Sequence, residues 1–168
     1  MAHSRRRLAA RRARDARCTQ IRSTVTFRMP GKFLIDLTDA RFMTSENADV
    51  IDFIRRTSPS AHSDVGSILF AYAKEIPGAR AYCPVPRSLS YVVLHDESDR
   101  IFAIAFGQKY IGLRVTQASI EEAVADGAVR APDIGPDWVT FVPWDSKDKA
   151  RGEKLRAWTE RAIAESRT

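Results

Sequence analysis

The chain has 168 residues, 44% of them hydrophobic, and a formal net charge of +6, enough for one domain with a sizeable core and too little for two. The first 28 residues hold nine arginines, no lysine and a single acid, Asp15, a balance of +8, while residues 29–168 hold 18 basic and 20 acidic residues, a balance of −2. The basic character therefore belongs to a tail and excludes a strongly basic folded nucleic-acid domain, and no apolar run approaches the ~20 residues of a membrane-spanning helix.

The tail is mostly Arg and Ala, with Leu8 and Ile21 as its large apolar residues between positions 4 and 22. It cannot bury enough surface to offset chain entropy and is expected to be a disordered basic N-terminal arm. Three readings stand for residues 1–28. As a nucleic-acid arm, Arg5, Arg6, Arg7, Arg11, Arg12, Arg14 and Arg17 would pair with phosphates in a salt-dependent way. As an organellar presequence, its Arg-rich and acid-poor composition would direct targeting. As a mis-assigned start, it would precede a true initiator at Met29, which is followed by Pro30, Gly31 and the first credible structured segment at 33–37.

Residues 29–168 are expected to form a single α+β domain: an antiparallel sheet of about four strands, a three-stranded meander plus one, packed with helices. Asn47 is a candidate cap for a helix over 47–56, with Val50, Phe53 and Ile54 on its apolar stripe; Ser58, Pro59 and Ser60 end it. A second helix over 63–75 presents Val65, Ile68, Leu69, Tyr72 and Ala73 on one face, with Ser60 or Ser63 as the expected cap, and Pro77-Gly78 closes it.

After a loop holding Pro84 and Pro86 the period becomes extended, predicting strands over 88–95, 100–106 and 110–115. The second has no polar alternation, which predicts a central strand covered on both faces. In the third, Ile111, Leu113 and Val115 point one way and Tyr110, Gly112 and Arg114 the other, onto a face expected to be partly open. Ser119 and Glu122 have capping-box spacing for a short helix ended by Gly127. A fourth strand is predicted over 138–142, stopped by Pro143. Ser146 opens a last helix with Leu155, Trp158, Ala162 and Ile163 inside and the pairs Arg156/Glu160 and Arg161/Glu165 outside.

Reactive motifs are sparse in the chain. Neither a phosphate-cradling loop nor a G-x-G-x-x-G turn is present, and the three histidines, His3, His62 and His95, have no metal-ligand spacing. No cofactor and no metal are expected. Two cysteines, Cys18 and Cys83, cannot build a framework of bridges, which together with the missing secretory signal points to a cytoplasmic protein. His95 reads as an exposed turn residue, and Cys83 as a loop cysteine with Arg80 and Arg87 near in sequence. Tyr91, Tyr110 and Arg114 form the ligand-binding candidates: on a shared open sheet face an Arg beside aromatic rings can hold an anionic or planar ligand.

The stretch Arg100-Ile-Phe-Ala-Ile-Ala-Phe-Gly107 with Tyr110-Ile-Gly-Leu-Arg-Val115, the strand Asp137-Trp-Val-Thr-Phe-Val142 and the helix segment Leu155-Arg-Ala-Trp158 resemble the small YjbR/MmcQ-like family over roughly residues 50–166. The resemblance implies a compact α+β fold with no established enzymatic residues, and a DNA-binding role that the acidic body does not favour. The function expected first is a non-enzymatic binding module. The alternatives are a nucleic-acid binder acting through the arm and a small-molecule enzyme using Cys83 and His95. A monomer or weak homodimer is expected, the latter by edge pairing through the Trp138 strand.

Overall fold

The computed structural model describes residues 39–57, 61–83, 92–144 and 151–168. The arm with all seven of its arginine candidates, Tyr91, the 58–60 stop, the Pro84/Pro86 loop and the predicted opening of the last helix at Ser146 lie outside the described residues.

Among the described residues four α-helices, α1 (Ala48–Thr57), α2 (Ser63–Glu75), α3 (Ile120–Ala125) and α4 (Arg151–Ser166), surround a sheet of six strands: β1 (Arg80–Tyr82), β2 (Val93–His95), β3 (Ile101–Phe106), β4 (Tyr110–Arg114), β5 (Val129–Arg130) and β6 (Trp138–Phe141). The order across the sheet is β1-β2-β3-β4-β6-β5, and every neighbouring pair is antiparallel. The α+β class and the meander β2-β3-β4 are as expected, but the sheet has six strands and not four. The two additional ones are edge strands of three and two residues, too short to leave a period in the sequence. The Trp138 strand is consequently internal, between β4 and β5, and cannot offer the free edge suggested for a dimer.

Residues Ile101 to Ala105 are all buried, because β3 is central and both faces are covered. Between Leu94 and His95 the pairing with β3 slips by one residue, a bulge that lets both Phe102 and Ala103 enter one core and turns Ile101 toward the other. The larger core packs Val65 and Leu69 of α2, Ile120 and Ala123 of α3, and Leu155, Trp158 and Ala162 of α4 against Leu94, Phe102, Ile111, Leu113 and Val139. The smaller packs Val50, Phe53 and Ile54 of α1, with Phe42, against Val93, Ile104 and Trp138. The face carrying Arg114 is therefore covered by α1, and the expectation of a partly open face fails at that end of the strand.

Helix starts depart from the sequence reading in three places. Asn47 is wholly buried and caps nothing; its carboxamide reaches out of the helix to residues 99 and 101. His62 is the cap of α2, its ring accepting the Asp64 N–H at 3.4 Å, while the N–H of His62 donates to the Gly107 carbonyl at 2.9 Å and so pins the helix to the β3–β4 turn. Ser119 makes no capping bond; its hydroxyl is drawn to α4. Gly127 at φ +99° ends α3 as expected.

Candidate functional site

Arg114, Trp138 and Asp49 build a clamp where β4 and β6 meet α1. The register places Arg114 opposite Trp138, so their side chains leave the sheet on the same face as direct cross-strand neighbours. The guanidinium lies 5.0 Å from the centre of the Trp138 ring, a cation–π contact. Asp49, in the first turn of α1, receives one Arg114 N–H and, at 3.0 Å, the indole N–H of Trp138. Arg114 also donates to the Glu46 carbonyl at 2.6 Å. Gly135 makes room for the carboxylate: a Cβ there would stand 2.3 Å from Asp49 Oδ2. Arg114 is only 6% exposed. Burial draws its guanidinium below the ordinary arginine value; Asp49 offsets part of this, and Arg100 adds repulsion.

Arg114 forms one wall of a cleft at this end of the sheet, about 530 Å³ including its open mouth, lined also by Arg100, Val115, Thr116, Gln117, Asp137, Glu165 and Ser166. The cleft gathers there because Arg100 leads into β3, residues 115–117 leave β4, Asp137 leads into β6, and the last turn of α4 closes the side. Glu165 accepts from the Ser119 hydroxyl and the Thr116 N–H, each at 2.6 Å, and from Arg161 Nε at 2.8 Å. Burial alone would raise its carboxyl, but these hydrogen bonds outweigh burial and hold it below the usual carboxylate value. Asp96 behaves alike in the β2–β3 turn. Burial opposes ionisation, yet the Ser166 and Ser98 hydroxyls and the N–H groups of Arg100 and Ser98 bring its carboxyl down. Through Ser166, Asp96 ties the end of α4 to the strand that delivers Arg100.

The Arg100 guanidinium donates once, to the Ser166 carbonyl at 3.1 Å. Among the described residues no carboxylate lies within 4.0 Å of that guanidinium, although the Asp96 carboxylate accepts the Arg100 main-chain N–H at 3.0 Å, and the Nε atoms of both Arg100 and Arg114 are buried with no hydrogen-bond partner. A guanidinium carries five N–H donors, so this end of the sheet holds donor capacity that the protein does not use. It is suited to receiving an anionic group.

The structure does not assemble the candidate set read from the sequence. Tyr91 is outside the described residues, and Tyr110 and Arg114 sit at opposite ends of β4, about 13 Å apart along the strand. Tyr110 is 38% exposed and stacks on Phe106 at 5.6 Å, with Lys109 5.8 Å from its ring; it belongs to the far end of the sheet. Arg114 does stand beside an aromatic ring, that of Trp138.

The pair Cys83 and His95 fares worse as reaction chemistry. His95 is 2% exposed rather than an exposed turn residue, its Nδ1 lying 3.0 Å from the Asp96 carbonyl and 3.1 Å from Asp99 Oδ1. Cys83 is buried in the larger core and is not a free thiol, so it does not offer a thiolate nucleophile. Among the described residues no group of three or more His, Cys, Asp or Glu is placed to hold a metal ion, and no helix is long and apolar enough to cross a membrane.

Sequence reasoning missed Arg100, Asp137 and Asp49. Arg100 and Asp137 flank strands that were correctly placed, and extending the meander register by one residue would have brought Arg100 beside the end of β4. No local pattern marks Asp49, which reaches Arg114 across 65 residues. No protein-family model, no curated protein and no solved structure matches the chain.

Proposed function

We propose that the protein is a non-enzymatic binding module that takes a small ligand by an anionic group in the cleft between Arg100 and Arg114. The observation that carries this reading is the pair of guanidiniums lining one cleft with buried, unpartnered Nε atoms, that of Arg100 having no carboxylate within 4.0 Å among the described residues. An anion there would relieve the repulsion that each cation exerts on the other and would use charge-assisted hydrogen bonds, the stronger kind. The test is a titration of the protein with inorganic phosphate and with acetate, followed by amide chemical shifts and melting temperature. Saturable shifts confined to the surroundings of residues 100, 114–117 and 165–166, weakened about tenfold or more in Arg100→Gln, support the reading. Absence of saturable binding, or binding untouched by that substitution, overturns it.

The +8 balance of residues 1–28 favours a second reading, a nucleic-acid contact made by the arm while the acidic body serves another partner. Labelled duplex and single-stranded DNA and RNA would then bind the full chain with steep salt dependence and not bind a chain starting at Met29. Equal binding by both chains removes this reading.

A further inference from the structure

We infer that the ligand of the arginine cleft is a small zwitterion carrying a carboxylate and an ammonium group, as an α-amino acid does, with its carboxylate on Arg100 and its ammonium on Asp137. The inference rests on the reading of the cleft as an anion site and adds a group of opposite charge.

Four charged side chains line the cleft, and two of them are neutralised inside the protein: Arg114 by Asp49 and Glu165 by Arg161. The remaining two are one of each sign. The Arg100 guanidinium has no carboxylate within 4.0 Å, and the Asp137 carboxylate has no cation within 4.0 Å, among the described residues. They line the same cleft and are not paired with each other.

Asp137 has capacity to spare. Its Oδ1 accepts from Gln117 Nε2 at 2.5 Å, which orients the carboxylate, and no described residue donates to its Oδ2. Its main chain is fixed, since its carbonyl accepts from the Val115 N–H at 2.8 Å as a continuation of the β4–β6 ladder.

Arg100 and Asp137 leave strands on either side of β4, so their main chains are about 10 Å apart, two strand spacings. Both residues line the cleft there. A compact molecule with two nearby opposite charges suits the remaining space, whereas phosphate would satisfy Arg100 and leave a carboxylate facing an anion. A simple amine has the reverse defect. Charge complementarity of this kind discriminates against wrong ligands as much as it attracts the right one.

The test is titration of the full chain, followed by amide chemical shifts, with glycine and a set of larger α-amino acids, and separately with acetate, methylamine and inorganic phosphate. The inference expects at least one amino acid to bind about tenfold or more tightly than acetate or methylamine. Asp137→Asn should abolish that advantage while leaving acetate binding unchanged or tighter, and Arg100→Gln should weaken amino acid and acetate alike. If acetate or phosphate binds as tightly as every amino acid tested, the zwitterion is wrong and the anion site stands. If amino-acid binding survives Asp137→Asn intact, the assigned role of Asp137 is wrong. If none of these probes binds saturably, both the inference and the reading beneath it fall.

Discussion

Asn47 donates its side-chain N–H to the main-chain carbonyl of Asp99 at 3.0 Å, joining the start of α1 to the β2–β3 turn across 52 residues of sequence. The same carboxamide donates to the Phe42 carbonyl at 3.2 Å and accepts the Ile101 N–H at 2.8 Å, so one fully buried side chain satisfies three backbone groups, one at residue 42 and two at the start of β3. Asp99 is the one non-glycine among the described residues with positive φ, +63°, a conformation that Asp tolerates better than most. Asn47→Ala would leave all three backbone groups without this partner. A loss of about 3 kcal/mol of stability is expected, measured by urea unfolding, with Asn47→Asp also destabilising because a carboxylate cannot donate to the two carbonyls.

His95 gives the fold an acid sensitivity separate from that of its carboxylates. Burial pulls its pKa below the usual 6.5; the Asp96 carbonyl and Asp99 oppose this, and Arg41 and Arg80 add to it. Because the folded state binds the proton more weakly than the unfolded chain, this contribution is fully present above about pH 6.5 and declines as the pH falls through 6.5 toward the lower folded value. Asp96 and Glu165, both held below their ordinary values, lose their contributions only at lower pH, near and below 4. Unfolding free energy measured from pH 8 to pH 3 should therefore fall in two stages, and His95→Gln should flatten the upper stage while leaving the lower one. An unchanged upper stage in that variant would assign it to another group.

How far the sequence could be read follows from the range of the interactions. α2, β3, β4 and the inner face of α4 were legible because burial repeats along them: Leu155, Trp158, Ala162 and Ile163 are all buried as the helical spacing requires. Ser119 and Asn47 misled because local capping rules compete with distant partners, and here the distant ones win: Glu165 for Ser119, and residues 99 and 101 for Asn47. Arg114 reads as a ligand candidate on a partly open face, and the structure instead buries it against Asp49 and Trp138. Its companions Arg100 and Asp137 do not stand out, since a cleft at a sheet end is made by converging strand termini that leave no periodic trace.

Gly135 should tolerate no side chain. Its Cβ would fall 2.3 Å from Asp49 Oδ2 and 2.9 Å from Trp138 Cδ1, and both neighbours are held, one by Arg114 and the indole, the other by the sheet. Gly135→Ala is expected to cost about 2–3 kcal/mol by overpacking. It should also shift Trp138 fluorescence, since the bond from the indole N–H to Asp49 must lengthen. A melting temperature equal to that of the parent chain would show that the 131–135 turn yields and that the clamp is less rigid than its packing indicates.

Asp49 and Arg114 make a stricter test, because the value of a buried ion pair lies in its not being half removed. Asp49→Ala leaves a guanidinium 6% exposed with a carbonyl and a ring for company, and truncating one partner of such a pair costs about 3–5 kcal/mol. Arg114→Met leaves Asp49 its Trp138 and Val50 donors and an exposed flank, so its cost should be smaller. The double variant should recover part of the Asp49→Ala loss, since no unpaired cation remains buried. Urea unfolding of the four chains gives the coupling directly, with about 1–3 kcal/mol expected for residues in contact. Additive losses would mean that Arg114 is held chiefly by Glu46 and Trp138. Arg114→Met should also reduce anion binding in the cleft, whereas Asp49→Ala, which frees a guanidinium, should strengthen it in whatever fraction of the protein remains folded.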